Sequence, residues 1–318
     1  MRRRLFKPTA LLLALLPLTA TAQIRYAAPI DETAGTLWSN SDSKLVCMLI
    51  HDIPQFGHVD FVTYAGRDIQ TSMQVVPKLT VSSDAEMRFI SAKPEWQSGG
   101  REYLLGRIKL YAGFNPYVGP TIAWKVLSEL GNGKQIFMPY TNSLLGMGQL
   151  VVPSLSPLGF KGPYNRYINC QHQLLRVNFN DVRMLPLVFR FQSTELTGRS
   201  LDRLKQQIDY IKEDKAVNKI VIKAYSYDMR RRDENIRMAR DRGEALMKFY
   251  TEAGFKDEQI EIVPFNALTL PDDSQRGPLT EEEPSARNAL VTLSRDSSLI
   301  NRDLEAKTPD VGADSAAD

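Results

Sequence analysis

The chain has 318 residues, of which 43% are apolar and 24% charged, and a formal net charge of +3. That is enough chain for two domains of ordinary size, with the composition of a folded protein. It contains no Gly-x-Ser-x-Gly, no His-Glu-x-x-His and no phosphate loop, so no catalytic class is indicated and the expectation is a non-enzyme without cofactor.

Residues 1–22 read as a leader rather than as part of the fold. Arg2, Arg3, Arg4 and Lys7 form a basic region, Ala10 to Leu18 an apolar one, and Ala20-Thr21-Ala22 a small-x-small cleavage site before Gln23. That is the pattern of a secretory signal peptide, and its apolar core is too short to span a membrane. No cysteine follows it to carry a lipid. Losing its four basic residues takes the formal charge from +3 to about −1. The basic isoelectric point is therefore mostly the leader's and gives no argument for nucleic acid.

Two cysteines remain, Cys47 and Cys170. In an exported chain an isolated pair reads most simply as a disulfide. A Cys2His2 metal site is the other reading, because Cys47 lies four residues before His51 and Cys170 two before His172. The oxidising compartment favours the disulfide, and no Cys-x-x-Cys spacing supports metal. His58 reads as a loop or surface residue.

From Gln23 to Asn40 the chain reads as an extended arm. Lys44–His51, Val59–Tyr64, Ile69–Val76, Met87–Ser91 and Tyr103–Tyr111 read as strands, with a turn at Ile53–Gly57. Ile122, Val126, Leu127 and Leu130 share one face of a helix over Thr121–Leu130. Phe114, Tyr117 and Trp124 read as core residues. Val151–Gly162 reads as loop or irregular strand, and Tyr164–Arg176 as a second helix carrying Cys170.

A different pattern starts near Asp181. Leu187–Phe191 reads as a strand, and Leu201, Leu204, Ile208 and Ile211 stripe a helix. Ile220–Ala224 is a second strand, leading into an arginine-loaded loop. The next helix has apolar or small residues at Ile236, Ala239, Gly243, Leu246 and Tyr250, and Gly254 ends it. Gln259–Phe265 and Asn288–Ser294 are further strands. The fold class expected is α+β: a mostly β N-terminal domain with one or two helices, over 23–182, and a βαβαββ domain over 183–296. The tail 297–318 has little apolar content and reads as disordered.

The second domain resembles the OmpA-like peptidoglycan-binding domain. That family's helix carries Asn-x-x-Leu-Ser-x-x-Arg-Ala, and here Asn235, Met238, Ala239, Arg242 and Gly243 hold the corresponding positions. Where the family places Thr-Asp after its second strand, the Asp position falls on Tyr227 and the acid stands one later, at Asp228. Before the last strand the family's paired arginines are reduced to Arg287, between Ala286 and Asn288. The resemblance implies that Asp228, Asn235, Arg242 and Arg287 surround the diaminopimelate of a peptidoglycan stem peptide.

The first domain is similar to that of the MotY family of periplasmic flagellar motor proteins. The matching residues are Arg25-Tyr26, Cys47-x-Leu49-x-His51-x-Ile53-Pro54-x-Phe56-Gly57, Ala123-Trp124 with Leu127-Ser128-Glu129-Leu130, and Cys170. This resemblance implies a Cys47–Cys170 disulfide and a structural role in the motor. It also implies contact of the first domain with the basal body and stator proteins, assembly into a ring, and attachment of the second domain to the wall. The reading from the second domain alone is a general peptidoglycan-binding envelope protein with no motor role.

The chemistry fits a zwitterionic ligand. A guanidinium grips a carboxylate with two parallel charge-assisted hydrogen bonds, and an aspartate holds an ammonium. Asn235 and Arg242 are seven residues apart, two helical turns, on nearly one face. The bland alternatives are a solvated arginine run at Arg230-Arg231-Arg232, a merely structural cap at Asn235 and a surface ion pair at Arg242.

Overall fold

A computed structural model describes residues 23–28, 37–144, 147–226, 232–265 and 288–299. The signal-peptide assignment, most of the expected disordered tail, Asp228, Arg287 and Arg230-Arg231 lie outside them. The architecture is α+β throughout.

In the first half, β1 (Gln23–Tyr26), β2 (Trp38–Asp42), β3 (Val46–Ile53), β4 (Gly57–Tyr64), β5 (Thr71–Pro77), β6 (Ala85–Ala92), β7 (Tyr103–Leu110) and β8 (Tyr117–Val118) come before α1 (Pro120–Gly131). β9 (Gln135–Phe137), β10 (Tyr140–Leu144), β11 (Met147–Leu155) and α2 (Lys161–Gln171) complete it. One sheet runs β2-β3-β4-β5-β8 and the other β1-β11-β9-β6-β7, with β10 also paired to β11. The arm expected over Gln23–Asn40 thus contains two strands, and the Pro- and Ser-rich stretch after Val151 continues one. Pairing supplies what their composition does not: β1 lies parallel to β11, its four residues in register with Leu150–Pro153.

Strand β5 alternates fully between buried and half-buried, the period of a sheet with one covered face. Leu49, Phe61, Met73, Val75, Phe89, Leu127 and Tyr167 fill one core between the sheets and the helices. The turn between β3 and β4 is tight. Gln55 and Gly57 both have positive φ, and a Cβ on Gly57 would stand 2.0 Å from the carbonyl oxygen of Val76. Phe114, Tyr117 and Trp124 are not core: all three are exposed, because Trp124 lies off the α1 face formed by Ala123, Val126, Leu127 and Leu130.

The second half contains α3 (Phe179–Val182), β12 (Met184–Val188), α4 (Gly198–Glu213), β13 (Val217–Tyr225), α5 (Arg232–Glu252), β14 (Ile260–Phe265) and β15 (Asn288–Arg295). Its sheet has the order β12-β15-β13-β14, with β13 parallel to β14 and antiparallel to β15. The strand expected at Leu187–Phe191 lies earlier. Beyond Val188 the chain turns, and Phe189 pairs only in a bridge to Leu196. Ile220, Ile222 and Ala224 of β13 face Leu204 and Ile208 of α4 and Leu246 and Tyr250 of α5 in a second core. One face of the sheet is thus covered by two helices.

Val182 belongs to this second core and Phe179 packs against it, so α3 is part of the second unit rather than the end of the first. The Arg295 guanidinium lies 3.8 Å from the centre of the Phe179 ring and pairs with Asp214 at 2.6 Å. The chain between the cores is pinned. Leu175 N–H donates to the Lys44 carbonyl and Gly66 N–H to the Leu175 carbonyl, both at 3.0 Å. Leu45 and Leu175 touch both cores.

Cys47 of β3 and Cys170 of α2 form a disulfide that closes a sequence separation of 123 residues. For so long a loop the chain-entropy argument gives about 5 kcal/mol of stabilisation. Reduction is expected to lower the urea midpoint of the first domain well below that of the second. Following Trp38 fluorescence and the second domain's amide exchange together checks this, and equal shifts would contradict it.

Candidate functional site

The candidate site stands at the carboxyl-terminal edge of β12 and β13, where parallel strands of α/β sheets present ligand sites. Arg242 is the centre of what is described there. It lies on the buried face of α5, flanked by Ala239 and Leu246, and is fully buried. Its Nε–H donates to the Ser193 carbonyl at 3.0 Å and Nη1 to the Tyr225 carbonyl at 3.0 Å. Nη2 reaches the Arg190 carbonyl at 3.5 Å, and the guanidinium carbon stands 5.0 Å from the centre of the Phe189 ring. One side chain thus ties α5, the end of β13 and the turn after β12. The surface ion pair considered for Arg242 is replaced by burial among main-chain acceptors.

Those contacts explain the turn. Gln192, between two of the accepting carbonyls, has φ 49°, a left-handed conformation that disfavours a side chain. An isolated guanidinium in the interior is costly, and three carbonyl oxygens among the described residues help to make it tolerable.

Asn235 is 8% exposed, in the first turn of α5. Its Oδ1 accepts from the Ser226 hydroxyl at 3.2 Å, and Ser226 is buried just after β13 ends. Asn235 is therefore not the structural cap considered for it: it lies inside α5 and fastens the start of that helix to the end of β13. Ser226 escaped the reading of the sequence. Its signal was a hydroxyl residue directly after the strand, in the place of the OmpA-like family's Thr. Asp233 and Glu234 stand in the first turn of α5, where the helix dipole favours acids.

The structure thus brings Asn235 and Arg242 together with Ser226 and the Arg190–Ser193 carbonyls. Of Asp228 and Arg287 only the described chain neighbours are placed. Ser226 follows β13, and Asn288 pairs with Val188 at the end of β12, so both segments meet the sheet at this edge. The side-chain oxygen of Asn288 is buried without a hydrogen-bond partner among the described residues. Gly243, in the family's Ala position, lets α5 approach the sheet: a Cβ there would lie 2.6 Å from Ile262 Cγ2.

The alternative metal site dissolves. Both thiols are consumed by the disulfide, and His51 is enclosed in the first core. Its Nε2 accepts from Ser156 N–H at 3.3 Å, and its ring meets Trp38 edge-on at 4.4 Å. Burial lowers its pKa from the ordinary 6.5 to about 3. His58, as expected, is partly exposed, and stands 3.4 Å from Asp60.

Residues 26–176 match the family model of the MotY N-terminal domain. The chain is 26% identical over 238 residues to the sodium-type flagellar protein MotY of Vibrio parahaemolyticus, covering 75% of this chain and 80% of that protein. The first half of this chain is thus similar to the MotY N-terminal domain.

Solved structures similar to this chain include the OmpA-like domain of FopA1 from Francisella tularensis, at 15% identity over 36% of this chain and 75% of that one, with a TM-score of 0.28. The peptidoglycan-associated lipoprotein of Burkholderia pseudomallei is 19% identical over 34% of this chain and 89% of that one, with a TM-score of 0.29. The periplasmic domain of Helicobacter pylori MotB is 15% identical over 36% of this chain and 74% of that one, with a TM-score of 0.28. No helix among the described residues is long and apolar enough to cross a membrane.

Two expectations follow. Arg242→Met keeps the bulk but leaves buried carbonyls unsatisfied, so the second domain should lose about 2 to 4 kcal/mol in urea unfolding; an unchanged midpoint would remove its structural role. The depressed pKa of His51 has a definite sign: the unfolded chain takes up its proton near pH 6.5, the folded one only near 3. Stability is therefore complete above 6.5 and falls with pH down to about 3, by about 2 kcal/mol at pH 5. Denaturation of wild type and His51→Gln between pH 7 and 5 checks this: the variant should lose that part of the pH slope.

Proposed function

We propose that this chain is a periplasmic structural component of a flagellar motor, whose second domain holds the assembly to peptidoglycan. The observation that carries the reading is its similarity to the flagellar protein MotY along 238 residues, which reaches across both cores. The first domain would contact the basal body and stator proteins and help place the stators. Copies would assemble as a ring, and the signal peptide would deliver the chain to the periplasm.

In the second domain, the proposed ligand is the diaminopimelate of a stem peptide. Arg242 supplies a fixed positive charge in a low-dielectric setting, which attracts the ligand carboxylate. Asp228 would hold the ammonium and Arg287 a second carboxylate. Asn235 and Ser226, bonded to each other, tie together the described chain on either side of Asp228. The Asn288 side-chain oxygen is a further acceptor at the same edge.

Deleting the gene is expected to leave filaments in place and impair rotation. Labelled protein should gather at flagellar bases; normal swimming with label all around the cell would instead support the general envelope protein. In pull-down with isolated sacculi, Asp228→Asn and Arg287→Ala should each weaken binding about tenfold or more while leaving the unfolding midpoint in place. Undiminished binding by both variants would remove them from the site.

A further inference from the structure

A second concave site lies where the two cores meet, at the other end of β12 from Arg242's acceptors. It is a cleft of about 360 Å³ between the β4–β5 connection, the start of α1 and the N-terminal end of α3. That volume is at the lower end of the ~300–1,000 Å³ of small-ligand sites.

Its lining is divided. Tyr64, Tyr117 and Pro120 supply flat apolar surface. Asp68, Gln70 and Asn178 supply planar polar groups around it. Of the three charged side chains lining it, Arg67 and Asp181 already answer each other: Arg67 Nε lies 3.4 Å from Asp181 Oδ1. The Asn178 side-chain oxygen accepts from Asp181 N–H at 3.1 Å, which directs that amide's oxygen inward to α3. Its Nδ2 is the nearest atom to a Cβ built on Gly66, at 3.2 Å.

That combination selects among ligand classes. An anion would meet a single arginine already paired with a carboxylate. A metal cation would meet no cluster of three metal-ligating side chains among the described residues. A wholly apolar ligand would strand the Asp68, Gln70 and Asn178 groups without water. A sugar ring satisfies both parts, since it has an apolar face of C–H groups to lie on an aromatic ring and an equator of hydroxyls that both donate and accept. Carboxylate and amide side chains serve both hydroxyl roles.

We propose that this interdomain cleft binds a pyranose ring of a glycan, stacked on Tyr117 and held by Asp68, Gln70 and Asn178. Arg67 and Asp68 belong to the first unit and Asn178 borders α3 of the second, so a bound ring touches both. The site is separate from the stem-peptide site and needs no peptide. Two envelope sources share this chemistry, an acetamido-sugar polymer and an unacetylated hexose polymer.

The test uses the mature full chain with two peptide-free probes, the trisaccharides chitotriose and maltotriose, titrated by calorimetry and by ligand-observed NMR. Saturable binding of at least one is expected, with chitotriose preferred for an acetamido source and maltotriose for a hexose one. Tyr117→Ala should weaken it about tenfold, the loss of one aromatic contact. Gln70→Ala, a change at an exposed side chain, should weaken it severalfold and serves if the first variant fails to fold. No binding of either probe at millimolar concentration, or binding equally strong in a folded variant, overturns the proposal. Because neither probe carries a stem peptide, the outcome is independent of whether the Arg242 region binds one.

Discussion

A buried positive charge organises the second domain. Arg242 could be satisfied in water at no structural expense; inside the protein it must find acceptors or the fold fails. It finds them at Ser193 and Arg190 in the turn after β12 and at Tyr225 at the end of β13, far apart in sequence. The edge of the sheet is thereby set before any ligand arrives. Preorganisation of this sort reduces the ordering a ligand must impose. The same restraint keeps Gln192 in its left-handed conformation.

The first domain rests on a different principle. Its two sheets are joined through one apolar core, and several polar groups inside it are answered locally, although the buried His51 Nδ1 finds no hydrogen-bond partner among the described residues. Thr63, Thr71, Tyr167 and Gln171 form a closed hydroxyl–amide cluster, with the Thr63 and Tyr167 oxygens 2.6 Å apart. Burial and desolvation raise the pKa of the Tyr167 hydroxyl. Trp38 Nε1–H donates to the Ser156 carbonyl, and His51 accepts from the same residue's N–H. Here a histidine is a shaped core residue, not a ligand.

The sequence was most legible where periodicity and burial coincide. The stripes of α1, α4 and α5, and the β3 and β4 strands, follow directly from apolar spacing. The weak places were strands whose existence depends on a distant partner: β1, β2, β9 and β11 have little local signal and are defined by pairing. Phe114, Tyr117 and Trp124 misled because aromatic identity does not tell which side of a helix or turn a ring leaves from. At the candidate site, Asn235 and Arg242 were visible as a seven-residue spacing. The burial of Arg242 was also present in principle, since it stands three residues after Ala239 and four before Leu246 on the core stripe. What no spacing could show is that its hydrogen-bond partners among the described residues would be main-chain oxygens, which carry no residue identity.

The disulfide also divides the chain as a mechanical object. Pulling on the two ends of the chain extends only what lies outside the covalent loop between Cys47 and Cys170. The 123-residue separation it spans corresponds to roughly 400 Å of extended backbone that stays out of the load path. Tension that opened the first core would therefore lengthen the molecule very little, whereas the second domain has no such clamp among its described residues. If the protein links a moving structure to a stationary one, the second domain is the compliant half and the first is the inextensible one.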